Sequence, residues 1–439
     1  MRDEAVFRIR ARRVPRLVVM LAMLAGAAPA FAQDLRSDEG PEQERPFSAG
    51  APRAAAAGLL SEPRLLTSAI NAGFDKYGET ATPSNGFYME LSNMITGSGF
   101  VSIGPGFRRQ LFNKNAFVDV SAAISWRMYN MVQGRFELPD LAGKHLSLGT
   151  QVMWQDQTQI NYFGVGPDSS EANQSQYRMQ SVNAVAYASV KPVTSLTIGA
   201  EYGFLRRPDI LSPGGTFKPV FPTTGDQFPI DPGVAAGFQP NFLHGELSIA
   251  SDTRDHRSRP TTGGVYRAAL TTFADRTDGT FTFRQYEAEG AQFVPVMKDR
   301  DWVLAFHGWG VVSDVPQGHD VPFYLLPSLG GNNTLRAYHD YRFHDRNLVV
   351  VSAESRWALF THLDGAIFVD AGNVAARAQD LNLRKTSYGA GIRLHTDKAT
   401  FARADVAYGA EGWHFIFRTS DPFRLARLTR RVAAVPFVP

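Results

Sequence analysis

Residues 347–372 read NLVVVSAESRWALFTHLDGAIFVDAG. In the first half, Val349, Val351, Ala353, Trp357 and Leu359 oppose Ser352, Glu354 and Arg356. After Thr361-His362 the pattern resumes, with Leu363, Ile367 and Val369 opposing Asp364, Ala366, Phe368 and Asp370. Successive side chains of a strand point to opposite faces, so a period of two sorts them into an apolar set and a polar or small set. A soluble sandwich alternates too, but it turns its apolar face inward and its charges to water. Here charges recur opposite the aromatics in strand after strand, spaced for a roomy polar interior. Apolar outside and polar inside is the pattern of a transmembrane β-barrel.

The same period extends in both directions. In AFVDVSAAISW (116–126), Val118, Val120, Ala122, Ile124 and Trp126 oppose Asp119, Ser121, Ala123 and Ser125. In GGVYRAALTTF (263–273), Tyr266, Ala268 and Leu270 oppose Arg267, Ala269 and Thr271. Sixteen segments read this way: 86–94, 97–110, 115–126, 128–138, 144–156, 176–191, 194–206 and 242–253, then 262–275, 280–296, 300–313, 347–360, 362–372, 386–396, 399–409 and 412–422. The number is even, as single-chain bacterial barrels require, and closure removes the edges such a sheet would expose. The expected fold is therefore all-β: a 16-stranded antiparallel transmembrane barrel. The composition agrees. Among 439 residues there is no cysteine, which removes disulfides, thiolate metal sites and a cysteine nucleophile. No apolar run is long enough for a membrane-spanning helix.

The first 32 residues read as an address. Arg2, Arg8, Arg10, Arg12, Arg13 and Arg16 precede an apolar stretch from Leu17 to Ala28, and Ala30-Phe31-Ala32 supplies a small-residue exit. This is a secretory signal, with cleavage expected near Ala32. It holds six of the 45 basic and two of the 42 acidic residues, leaving 39 and 40, a net charge of −1. The basic balance belongs to the leader, so nucleic acid is not an expected partner. Residues 33–85 read as a periplasmic linker, charged and then rich in Pro, Gly and Ala. Within it Leu65, Leu66, Ile70 and Phe74 fall at helical spacing after the Ser61 cap and Pro63, predicting a short helix over 62–76. That helix either packs on the surface or docks at the periplasmic barrel mouth or inside it. Residues 424–439 form a basic C-terminal tail.

Two connections are long. Residues 207–241, rich in Pro and Gly, read as an external loop. Residues 314–346 are denser, and a connection so crowded with aromatic and hydrogen-bonding groups is expected to pack against something. Its LPSLGGNNTLRAYHDYRF stretch resembles the sixth extracellular loop of the outer-membrane assembly factor superfamily, the BamA/TamA and two-partner-secretion type, also called the bacterial surface antigen family. The family's Val/Ile-Arg-Gly-Phe/Tyr tetrad corresponds to Leu335-Arg336-Ala337-Tyr338, with alanine in place of glycine. Its Phe-x-Asp motif corresponds to Phe368-Val369-Asp370, on the second strand after the loop. SDTRDHRSRPTTGGVYRAAL (251–270) is similar to the family's Asp-Thr-Arg-Asp hairpin, and NYFGVGPDSS (161–170) to its Phe-x-Gly-x-Gly stretch. WHFIFRTSDPF (413–423) resembles the closing strand, with Trp413, Phe415, Phe417 and Phe423 sharing a parity. The likeness covers about residues 86–423. It implies a loop folded into the lumen, whose arginine meets the aspartate.

The chemistry of such a pair is clear. A buried guanidinium is costly unless paired, and its planar fork suits a carboxylate. Arg336 is expected to meet Asp370, with Glu354 on the adjacent strand as a second partner. Residues 33–85 are too short for the periplasmic polypeptide-transport-associated domains the family carries. No G-x-S-x-G, P-loop or H-E-x-x-H motif occurs, and Asp252, Asp255 and His256 belong to the hairpin of the resemblance. His339-Asp340 and His344-Asp345 read as polar groups of a packed loop, since no second ligand set accompanies them at metal spacing. No enzyme activity, cofactor or metal is expected. The expected protein is a monomeric barrel of the bacterial outer membrane, in contact with lipid and with a periplasmic or substrate polypeptide, acting in insertion or translocation of polypeptides. The alternatives are a passive porin-like channel and a structural surface barrel.

Overall fold

The computed structural model describes residues 85–90, 102–214, 221–234, 239–256, 259–297, 302–395, 400–418 and 422–423. The expected leader, the linker with its helix over 62–76, and the tail after Phe423 lie outside the described residues. The elements are β1 (Gly86–Glu90), β2 (Ser102–Leu111), β3 (Ala116–Ser125), β4 (Asn130–Leu141), β5 (Leu146–Tyr162) and β6 (Ser175–Val193). Then come β7 (Leu196–Leu211), β8 (Phe242–Asp252), β9 (Gly263–Asp275), β10 (Phe283–Met297), β11 (Trp302–Asp314), β12 (Ser328–Leu329) and β13 (Phe343–His344). The last are β14 (Asn347–Phe360), β15 (Leu363–Ala375), β16 (Lys385–His395), β17 (Thr400–Gly409) and β18 (Gly412–Arg418). Among the described residues helix is nearly absent, the α-helix Thr224–Gln227 being a single turn.

All strands but β12 and β13 form one antiparallel sheet in chain order, sixteen strands as the alternation predicts. The two faces differ as that pattern requires. Val120, Ile124, Trp126, Val351, Ile367 and Val369 are exposed, while Asp119, Ser121, Arg267, Thr271, Glu354, Arg356 and Asp370 are buried. Among the described residues no ladder joins β1 to β18, so the sheet is not closed there, in contrast to the expected barrel. The turns after β2, β4, β6 and β14 are short, whereas those after β5, β7, β11 and β15 are long and lie at the opposite end.

Three sequence boundaries shift for physical reasons. β5 runs to Tyr162, beyond the expected end at 156, because from Asp156 to Ile160 every side chain is buried and the alternation is lost. The expected external loop 207–241 begins only after Leu211, and part of it is packed inward. Phe228 meets Tyr162 edge-on, and Pro232 accepts a backbone hydrogen bond from Phe323. The closing strand is described as far as Arg418, and Phe423 does not share the face of Trp413, Phe415 and Phe417. Phe423 is buried among Val265, Ala291, Phe293, Val303 and Ala305 of β9, β10 and β11, stacked on His307 at 5.4 Å.

The largest apolar cluster joins the two long connections to the sheet. Val321, Phe323, Tyr324, Leu325, Leu326 and Tyr341 pack against side chains from β4 to β10, such as Tyr162, Tyr177, Phe242 and Phe283. Farther on, Leu329, Leu335, Tyr338 and Phe343 pack against Trp309, Val311, Leu348, Val350 and Val374 of β11, β14 and β15. Residues 315–346 thus lie against the buried face of both halves of the sheet.

Candidate functional site

The connection descends from β11 and narrows into the β12–β13 ladder, whose strands pair Ser328 with His344 and Leu329 with Phe343. Residues 330–342 project beyond it as a tip. Gly330 and Gly331 make the reversal, both at positive φ, with His339 O and Asp340 pressed where a Cβ would stand. Gly331 N–H donates to the carbonyls of Leu335 and Tyr338, and Tyr338 N–H to that of Leu335. These bonds coil the Leu335-Arg336-Ala337-Tyr338 tetrad into a compact turn and leave the Arg336 side chain projecting.

Arg336 is 2% exposed. Its Nε donates to Asp370 Oδ2 at 3.0 Å and its Nη2 to Asp370 Oδ1 at 2.8 Å, a bidentate fork. Its Nη1 donates to Glu354 Oε2 at 2.8 Å, and its backbone N–H reaches Asp370 Oδ2 at 3.3 Å. The Phe368 ring lies under the guanidinium, 3.3 Å from Cζ to the centroid. The seven residues named from the sequence are therefore all at one place. Leu335 and Tyr338 anchor the tip, Arg336 bridges, and Phe368, Asp370 and Glu354 receive it. Burial opposes the charge on Arg336, but Asp370 and Glu354 outweigh it and hold the guanidinium above its ordinary pKa.

Ala337, where the family has glycine, keeps a negative φ. It is wholly buried against Phe368, Ala407 and Ile416. Space for its methyl comes from Gly409 on β17, since a Cβ there would lie 2.8 Å from the Ala337 Cβ.

The site is larger than the sequence reading made it. Asp405 on β17 lies 3.8 Å from Arg336 Nη1. Arg393 on β16 bridges Glu354, at 2.9 Å, and Asp405. Arg356 donates to Glu354 at 2.8 Å, and Ser387 to Asp370 at 2.9 Å. Arg403 on β17 donates to the loop itself, at 2.6 Å to the Asn332 carbonyl and 3.1 Å to Asn333 Oδ1. The loop thus extends an arginine into the sheet, and the sheet extends one into the loop. Four guanidinium groups face three carboxylates, and the Asn332 carbonyl of the loop accepts a hydrogen bond from the fourth, Arg403. Parity would have found Arg393, Arg403 and Asp405, which are charged and on the buried face of their strands. It could not have said that they meet.

A second anchor lies at the long-loop end. Arg342 bonds Glu411 in the β17–β18 turn and donates to Ser169 Oγ at 2.9 Å and to the Ser169 carbonyl at 2.8 Å. It also stacks on Phe163 and Phe343, 4.8 and 4.5 Å from the centroids. Gly166 N–H bonds the His344 carbonyl at 2.7 Å. The Phe-x-Gly-x-Gly stretch is thereby the seat of β13. The Asp-Thr-Arg-Asp hairpin has a local role: Asp252 is paired with Arg254, and Asp255 accepts from Thr261 and Thr262 to close the β8–β9 turn.

Comparison by sequence with curated proteins finds no match. Among solved structures, BamA from Haemophilus ducreyi lacking POTRA domains 1–3 is similar in fold, at 15% identity and a TM-score of 0.55 over 76% of this chain and 70% of that one. CdiB from Acinetobacter baumannii aligns at 13% identity, with a TM-score of 0.46 over 76% of this chain and 58% of its own. CdiB from Escherichia coli aligns at 11%, with a TM-score of 0.47 over 76% of this chain and 61% of its own. The chain spans less than two thirds of either CdiB chain. The Omp85 superfamily domain matches residues 110–412, well over half of the sequence and inclusive of the Arg336 site, so the chain belongs to the Omp85 superfamily.

Proposed function

We propose that β1 and β18 meet to close a monomeric barrel in the bacterial outer membrane, reached after cleavage of the leader near Ala32, and that residues 314–346 fold into its lumen. The barrel takes part in inserting or translocating polypeptides. The observation that carries this reading is the buried fork of Arg336 on Asp370 and Glu354. A pore-filling segment pinned at its tip by this charge cluster blocks the lumen at rest, and opening the cluster loosens it. Membership of the Omp85 superfamily supports the outer-membrane setting and the polypeptide substrate. The exposed band of Val120, Ile124, Trp126, Ile367 and Val369 supports contact with lipid.

Conductance of the refolded protein in a planar bilayer, beside Arg336→Ala, tests this. The expected wild-type current is small and flickering. The variant is expected to open widely, and unfolded polypeptide added on the short-turn side interrupts its current. A large, steady current that neither the substitution nor polypeptide alters would overturn the reading in favour of a passive porin-like channel.

A further inference from the structure

The tip of the connection carries a second constellation, separate from the Arg336 fork. His339 from the tip, Glu411 from the β17–β18 turn and His414 from β18 bring one ligand atom each to within 4.8 Å of one another. Glu171, from the connection between β5 and β6, stands beside them, its Oε1 3.1 Å from His339 Nε2. The two imidazoles meet edge-on at 5.1 Å, and Phe163 stacks on the His339 ring at 6.1 Å, which limits its tilt. Arg342 occupies Oε1 of Glu411 and so fixes the carboxylate, whose Oε2 faces the His339 backbone N–H at 3.3 Å. All three core residues are only partly buried, so solvent and ions reach them.

We propose that His339, His414 and Glu411, with Glu171 as fourth donor, form a binding site for a divalent transition metal of the zinc class. Two imidazole nitrogens and carboxylate oxygens are the donor set that borderline cations prefer, whereas calcium takes six to eight oxygens. Metal–ligand bonds of about 2.0–2.1 Å place tetrahedral ligand atoms roughly 3.3 Å apart. The orientation of Glu411 by Arg342 is the outer-shell support such ligands need. The donors come from two long connections and from the β17–β18 hairpin, so an ion here ties the loop tip to the last hairpin and to the β5–β6 connection.

The test is titration of the full refolded, metal-free protein with Zn²⁺ by calorimetry, followed by Co²⁺ substitution read in the visible spectrum. One equivalent is expected to bind, with the intense visible bands of four-coordinate Co²⁺. His339→Ala and His414→Ala are each expected to weaken binding at least about tenfold, and Glu171→Gln by less. Correct folding of each variant is checked by its heat-modifiable gel mobility. The proposal is overturned by absence of saturable Zn²⁺ uptake in the unmodified protein, by uptake that persists in the folded double histidine variant, or by Ca²⁺ displacing Zn²⁺ at equal concentration.

Discussion

A guanidinium taken out of water costs several kcal/mol, and it is retained only where carboxylates return that energy. Arg336 meets the condition twice over, with Asp370 along its fork and Glu354 at its free Nη1. The neighbouring Ala337 illustrates a finer constraint. Its methyl occupies the space that the missing side chain of Gly409 leaves, so the two positions divide one volume. Gly409→Ala is therefore expected to destabilise the folded protein by about 1–3 kcal/mol through overpacking. Adding Ala337→Gly should restore part of that loss and not all of it, because the Thr386 carbonyl also crowds the new Cβ at 2.9 Å. Urea unfolding of both variants in detergent, followed by tryptophan fluorescence, gives the coupling. Strictly additive effects would mean that the two residues do not share the space.

At the scale of the element, residues 315–346 behave as a docked domain in miniature, with its own hairpin, β12–β13, and an apolar contact on each side. His344 lies inside one contact, with Tyr162 and Tyr341 against its ring. Burial pulls it down from its ordinary 6.5 to about 3. Above pH 6.5 the ring is neutral whether docked or released, and docking has its full strength. Between 6.5 and about 3 the released loop takes up a proton that the docked loop refuses. Docking then weakens by about 1.4 kcal/mol for each pH unit. The neighbouring Asp345 is raised by burial and acts in the opposite sense, gaining its proton first in the docked state. Replacing His344 with Gln isolates the histidine. The variant's thermal midpoint should fall less steeply than the wild type's between pH 6.5 and 4.5, and parallel curves would refute the assignment.

The whole molecule raises the question of its two edges. Phe87 and Met89 on β1 and Phe415 and Phe417 on β18 are all exposed on the apolar face. A sheet of sixteen strands with free edges would invite pairing with other chains, and closure removes that liability. Because the chain has no native cysteine, the meeting can be read directly. Cysteine pairs drawn from these four positions, one on each strand, are expected to cross-link under mild oxidation in membranes for at least one register. A disulfide requires Cα atoms within about 7 Å, so failure of every pair would mean that the edges stay apart.

Strand identity, strand number and the facing of most side chains were legible in the sequence, because a strand's alternation is local and one face of the sheet is buried while the other is exposed. Thus Asp370 and Glu354 could be assigned a face from their neighbours alone, and the resemblance supplied Arg336 as their partner. The alternation vanished where both faces are buried, as at residues 156–160 of β5, and there the reading stopped short. What only the tertiary structure decided was convergence. Arg393, Arg403 and Asp405 joined the charge cluster, Arg342 found Glu411, Phe423 turned inward, and His339 met His414, although no metal spacing in the sequence suggested it. These contacts join residues on different strands and connections, and their distances depend on how a sixteen-stranded sheet packs against a long connection. A local pattern carries direction along one strand, but not the separation between side chains brought together by the packing of many.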